Sequence, residues 1–527
     1  MSDDFDYSEM SDDELWEAIP AVSDFEKGQI YFHLHQQYSK KPDHQAALSV
    51  ATQAEEIYLK LNSHREIGIA KMLQGRSHFK LKEYGTAIEC LSESKDVLLT
   101  ADLDGDRAHC FFLIGDAYFN LKGYENAAVN YLAAIELYEA FDEHCAVASI
   151  SNDAGHAYFR QGNYPKSIKF FERSIKAAMD GELPHHMFHS YSDLAHVYQA
   201  TGAYDAALEC ANRALALGMT CSCPNCEPKA LALQGRMLRS AGDLAAARQT
   251  LNRAKEIFYG RNDTKAQIGV LVDLGLCYVP SNGRKAMEYF NQAETLLEMY
   301  PKMEYQLITM NLGMGILANI EGEFEYAKDF LNLAYDYSKS SARYTALRHE
   351  IIPHYFKALF ALGLPKKVLK ILAETERGPE PWLVDEVQIA TWKAQAHLAL
   401  GESEIAIEQA NAAIEMAGHD DDYLLSRATC HKIVAEAGSH QDCREAREHA
   451  QKAISCFLAA GEIDQATELN AKFVRAPEKQ LADALADEDD RNTYDELFGK
   501  TDPIAEQLND LQGSSESKNS DDQADSA

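Results

Sequence analysis

Cys221-Ser-Cys223-Pro-Asn-Cys226 puts three thiols within six residues. Thiolates are soft ligands, and three of them leave one position of a tetrahedral zinc site to fill. Forty residues upstream, Glu182-Leu-Pro-His185-His186 offers imidazoles. His186 is the ligand expected to join Cys221, Cys223 and Cys226; His185 and Cys210 are the alternatives. The competing reading is a reduced, reactive loop that holds no metal. Structural zinc is the single cofactor these residues suggest.

Catalytic signatures do not emerge. There is no GxxxxGK[ST] phosphate loop, no HExxH and no GxSxG elbow. The histidines occur singly along helical stretches, where structural hydrogen bonding is the commoner role. The reading is therefore a non-enzymatic chain.

The elements that carry these residues repeat every forty positions. Tyr84, Tyr124, Tyr164, Tyr204 and Leu244 mark successive units. A small residue follows each at three (Ala87, Ala127, Ser167, Ala207, Ala247) and at ten (Ser94, Ala134, Ser174, Ala214, Ala254). A Gly or Ala precedes each at nine: Gly75, Gly115, Gly155, Ala195 and Gly235. Weaker marks extend the series back to His44 and on through Gly283, Phe324, Pro365, Ser403 and Cys443, which gives eleven units. Repeat seven is one residue short in its turn. Apolar and small residues at three- and four-residue steps make each unit two amphipathic helices. One pair cannot bury its own apolar face, so the pairs must stack. The expected fold is all-α: a right-handed α-solenoid of stacked antiparallel helix pairs.

The stretches GDAYFNLKGYENAAVNYLAA from Gly115 and GHAYFRQGNYPKSIKFFERS from Gly155 resemble the tetratricopeptide repeat. The resemblance runs through residues 25–460. Two departures accompany it. Tyr31, Phe111 and Tyr191 stand where that family usually has tryptophan, and Leu59, Leu99 and Met179 replace its closing proline. The resemblance implies protein or peptide binding on a concave face lined by the first helix of each pair. Carried over position by position, it assigns that face Arg76, Lys80, Phe112, Phe119, His156, Phe159, Arg160, His196, Arg236 and Arg239, with Asp116 as the one acidic member. Arginine pairs bidentately with carboxylates and aromatic rings receive apolar side chains, so the implied ligand is an acidic segment with apolar anchors. Val272, Leu276, Val279, Leu312, Ile316 and Ile320 continue the face; core packing is the favoured reading for them, and a seat for an amphipathic helix the alternative.

The formal charge of −33 gathers at the ends. Residues 1–26 hold ten acidic residues and no Lys or Arg, and residues 483–527 are net −11. This divides the chain into an acidic N-terminal arm (1–24), the solenoid (25–460), a capping helix with an acidic segment (461–511) and a disordered tail (512–527). Ser11-Asp12-Asp13-Glu14 fits a capping box for a short helix in the arm. Asp13-Glu14-Leu15-Trp16-Glu17 and Tyr494-Asp495-Glu496-Leu497-Phe498 are acidic segments with apolar anchors, suited to compete for the groove. Such charge disfavours nucleic acid. No apolar run of about twenty residues suggests a membrane span. Scattered cysteines without an export signal point to the cytoplasm. The expected function is a scaffold or adaptor; the alternatives are a peptide-sensing regulator without a DNA-binding domain, and a zinc- or redox-responsive switch. Oligomeric state is not legible.

Overall fold

A computed structural model describes residues 10–221, 223–376, 385–438 and 443–475. Tyr494–Phe498 and the acidic tail lie outside the described residues. The described chain folds into α-helical pairs with no strand. It divides into two compact units, one of residues 1–317 with 333–348 and one of residues 318–332 with 349–527.

The first unit follows the forty-residue period closely. First helices begin at Asp24, His64, Asp104, His144 and Pro184, and second helices at His44, Tyr84, Tyr124, Tyr164 and Tyr204. The landmark tyrosine is thus the first residue of each second helix. A left-handed residue closes nearly every helix, at Asn62, Lys82, Asp102, Lys122, Asp142, Gly162, Glu182 and Gly202. Only a turn of this kind reverses the chain within three residues, and glycine meets it without strain at Gly162 and Gly202. Repeat seven lacks one turn residue, and there Asn282 caps the helix Gly283–Leu297 by accepting from the Lys285 backbone N–H.

Packing explains the small-residue frame. The residues three, seven and ten after each landmark are buried throughout repeats two to six. A Cβ at Gly115 would come within 2.6 Å of the Tyr131 ring, and one at Gly75 or Gly235 within 2.5 Å of Leu91 or Leu251. Repeat five exchanges the sizes: Ala195 replaces the glycine, and its counterpart is Ala211 in place of a large side chain. The paired positions therefore conserve volume, as close-packed interiors require. Buried hydroxyls are satisfied between helices, as where Ser94 donates to the Gly68 carbonyl at 2.7 Å and Ser167 to that of Gly155 at 2.9 Å.

The described part of the N-terminal segment, from residue 10, packs on the first repeat. Helix Asp12–Ala18 carries the capping box, with Ser11 and Glu14 exchanging hydrogen bonds. Leu15 is fully buried with Ile30, Leu34 and Tyr58 of the first repeat. Trp16 donates to the Tyr38 hydroxyl at 2.9 Å and packs edge-on against Tyr31. The apolar anchor that suited Asp13–Glu17 to compete for the groove is spent on capping the stack, because an end repeat has no neighbour to cover its apolar face.

In the second unit, Val387, Ala406, Ala410, Ile433 and Val434 share one core. Helix Ile463–Leu469 buries Ala466 and Leu469 with Phe457. No described helix is long and apolar enough to cross a membrane.

Candidate functional site

In the first unit, successive first helices pack on one another, whereas second helices stand further apart. The first helices therefore form the inner side of the curve. The residues expected on that face all lie on first helices, and three further aspartates lie there with them. Asp153, Asp193 and Asp273 stand at a single register of the repeat and interleave with the basic side chains. They alter the electrostatics of the whole face.

Charge is matched along the stack, from one repeat to the next. His156 Nε2 lies 3.2 Å from Asp193 Oδ2, and Asn152 also donates to that oxygen, at 3.0 Å. Burial opposes the charged imidazole, but Asp193 outweighs it and the His156 pKa is raised; the carboxyl of Asp193 is held low in return. Two repeats further on, Arg236 Nε donates to Asp273 Oδ2 at 2.9 Å and Arg239 stands 3.7 Å from Oδ1. Asp273 is only 3 % exposed. The Arg236 guanidinium also lies over the Tyr305 ring at 5.2 Å. His196, placed among the basic groove residues, is pushed down to about 4 by burial and by Arg236, so it is neutral at pH 7.

Asp116 and Asp153 occupy the equivalent rung, and neither makes an ion pair among the described residues; Lys80 and His156 act on them only at longer range. The Tyr131 hydroxyl donates to Asp116 Oδ1 at 2.7 Å, while burial raises the Asp116 carboxyl. Asp153 has no hydrogen-bond or ion-pair partner among the described residues. Burial and the neighbouring Asp116 charge push it up to about 7. On the N-terminal side of this rung, Arg76 and Lys80 are exposed and likewise lack an ion-pair partner among the described residues.

The aromatic members mix packing with exposure. Phe119 and Phe159 meet the landmark rings Tyr124 and Tyr164 at 5.3 and 5.9 Å, and Phe112 lies between His109 and Tyr131. Arg160 is placed over Phe119 at 6.0 Å, but its surroundings are crowded. The 3-10 turn Ala342–Tyr344 packs against helix His144–Arg160. Burial, then the nearby Arg343, lower the Arg160 pKa. Further along, Val272, Val279 and Leu312 are core, as expected, whereas Ile320 is exposed.

The thiol loop breaks the turn pattern. Helix Tyr204–Thr220 ends on Cys221 in extended conformation (φ −74°, ψ 148°), and the next helix starts at Cys226. The side-chain donor atoms of His185, Cys223 and Cys226 all lie within 4.8 Å of one another. Cys221 interacts with Cys226, and its Sγ is 3.7 Å from the Cys223 carbonyl oxygen. The expected histidine is corrected by one position. His186 turns to Cys145, with Nε2 3.9 Å from Sγ, and His185 takes the place beside the thiols. Cys210 is buried in the adjoining core, outside this cluster. Backbone N–H groups of Asn225 and Cys226 donate to the Cys223 sulfur and hold its pKa low. Burial and the two neighbouring thiols push Cys226 up to about 12.

With the geometry in view, the chain carries tetratricopeptide repeats across residues 108–261. Family models described as tetratricopeptide repeat match residues 108–141, 146–218 and 192–261. No curated protein matches the chain in sequence. Similar solved structures include the apo form of RapI (14 % identity, TM-score 0.46, covering 52 % of this chain and 97 % of that one). Aspartyl phosphate phosphatase F from Bacillus subtilis is similar at 15 % identity and TM-score 0.40, over 51 % of this chain and 70 % of that one. The apo quorum sensor NprR from B. thuringiensis is similar at 15 % identity and TM-score 0.40, over 54 % and 80 %.

Proposed function

We propose that this chain is a non-catalytic binding protein whose inner face takes a segment of another protein or a peptide. The observation that supports the reading is the rung of Asp116 and Asp153, which makes no direct ion pair among the described residues, beside the exposed Arg76 and Lys80. Elsewhere on the face carboxylates are matched with His156, Arg236 or Arg239. Half-buried charge without a partner is costly and is relieved by a ligand that brings the complement.

The ligand is accordingly of mixed charge. Its acidic side chains meet Arg76 and Lys80, as expected of an acidic partner, and a lysine or arginine meets Asp116 and Asp153. Phe112 and Phe119 offer ring surface to an apolar anchor. The working compartment is the cytoplasm, and the role is that of a scaffold or adaptor.

The test is selection of peptides from a random library on the full chain, followed by titration of the enriched peptides into variants. Loss of binding in Asp116→Asn/Asp153→Asn and in Arg76→Ala/Lys80→Ala, with no loss when Lys169 and Lys176 of a second helix are changed to Ala, supports the reading. Equal binding to all three variants rejects it.

A further inference from the structure

We propose that Cys221, Cys223, Cys226 and His185 hold one zinc ion that clamps two successive inter-repeat loops. The site is separate from the inner face and stands whether or not a segment binds there.

The four donors come from two loops forty residues apart. Three of them, His185, Cys223 and Cys226, already converge within 4.8 Å. Donor atoms around one tetrahedral zinc stand roughly 3.3–3.8 Å apart, so only a small contraction is needed. Cys221, whose sulfur lies 3.7 Å from the Cys223 carbonyl oxygen and outside that group of three, has to swing in to supply the fourth.

The surroundings fit a metal knuckle. Cys223-Pro-Asn-Cys226 has the two-residue spacing at which both thiolates of a pair reach one ion. The Cys226 N–H donates to the Cys223 carbonyl at 3.2 Å, which closes the turn that brings the two thiols together. Cys226 opens helix Cys226–Ser240, and the adjoining helix approaches it so closely that a Cβ at Gly218 would meet its carbonyl carbon at 3.1 Å. Arg261 of the following loop donates to the Pro224 carbonyl and, at 3.4 Å, to Asn225 Oδ1. The loop is thus held from both sides. Three thiols crowded together cannot all ionise without a cation among them, and a divalent ion supplies that charge while their protons leave to solvent. The clamp takes over where the left-handed turn used at Asn62, Asp102, Asp142, Glu182 and Asn262 is missing, and fixes the setting of repeat five on repeat six.

The test is metal analysis of the full chain, purified without a metal-affinity tag, followed by cobalt(II) titration of chelator-treated protein. The expected results are about one zinc per chain and a cobalt spectrum with thiolate charge-transfer and tetrahedral d–d bands. His185→Ala should weaken cobalt binding at least about tenfold and shift the d–d bands, while His186→Ala leaves both unchanged. Native protein that is zinc-free and gives no thiolate-to-cobalt band overturns the proposal without need of any variant. A band lost in His186→Ala and kept in His185→Ala overturns the ligand assignment.

Discussion

Arg236 reaches along the stack to Asp273, 37 residues further on, and donates to its Oδ2 at 2.9 Å. His156 and Asp193 are related by the same step, and so are Asp116 and Asp153. The inner face is a series of rungs, each joining neighbouring repeats and each with its own charge state. The Arg236 rung is the most buried of them and the Asp116 rung the one left for a ligand.

Removing Arg236 strands a carboxylate that is 3 % exposed. Arg236→Ala should cost about 2–4 kcal/mol, moderated by Arg239 at 3.7 Å. Repeat proteins open locally, so hydrogen exchange should rise first in helices Cys226–Ser240 and Thr264–Tyr278. The double replacement Arg236→Met/Asp273→Leu should restore much of the loss, since a buried pair is often worth little more than an apolar one.

The His156 rung should weaken in alkali. Its folded pKa is raised, so the stability it adds is fully present below the unfolded imidazole value and is lost as pH rises through the folded one. The coupling between His156→Ala and Asp193→Asn, measured by denaturant unfolding, should be on the order of 1 kcal/mol at pH 6 and shrink by pH 9.

Asp153 has the same sign in a lower pH window. Its folded pKa of about 7 exceeds the unfolded value, so the native state loses stability as pH climbs from about 4 to 7 and then levels off. Asp153→Asn should therefore stabilise the protein by on the order of 1–2 kcal/mol at pH 8, discounted for its partial exposure, and by almost nothing near pH 4. Urea midpoints at the two pH values decide it.

Volume exchange in repeat five gives a packing test. Ala211→Leu should destabilise by about 1–3 kcal/mol through overpacking against Ala195. Ala195→Gly in the same chain should recover most of it, because the pair would then match Gly75 with Leu91. Thermal melts of the single and double variants measure the coupling.

Much of this architecture is legible in the sequence. The forty-residue period locates the helices, and the burial of Ala87, Leu91 and Ser94 with their counterparts follows from spacing alone. The groove was legible only column by column. Arg236 and His156 belong to one column of the repeat and Asp273 and Asp193 to another, and their pairing runs between repeats, which a list of facing positions does not show. The recurrence of Asp at 153, 193 and 273 was the available signal. His185 and His186 differ by about 100° around the helix, so a one-residue choice sends an imidazole to the thiols or to Cys145. Leu15 read as a ligand anchor because sequence alone does not tell a cap from a partner.

The central claim is that the Asp116–Asp153 rung receives a cationic side chain of a bound segment. The most direct measurement is calorimetric titration of a library-selected peptide into the native chain and into Asp116→Asn/Asp153→Asn, at pH 6 and pH 8. The account predicts binding that tightens from pH 6 to pH 8 in the native chain, as Asp153 ionises, and that weakens at least about tenfold in the variant at pH 8. Equal affinity for both proteins at pH 8, with no pH dependence, would contradict it.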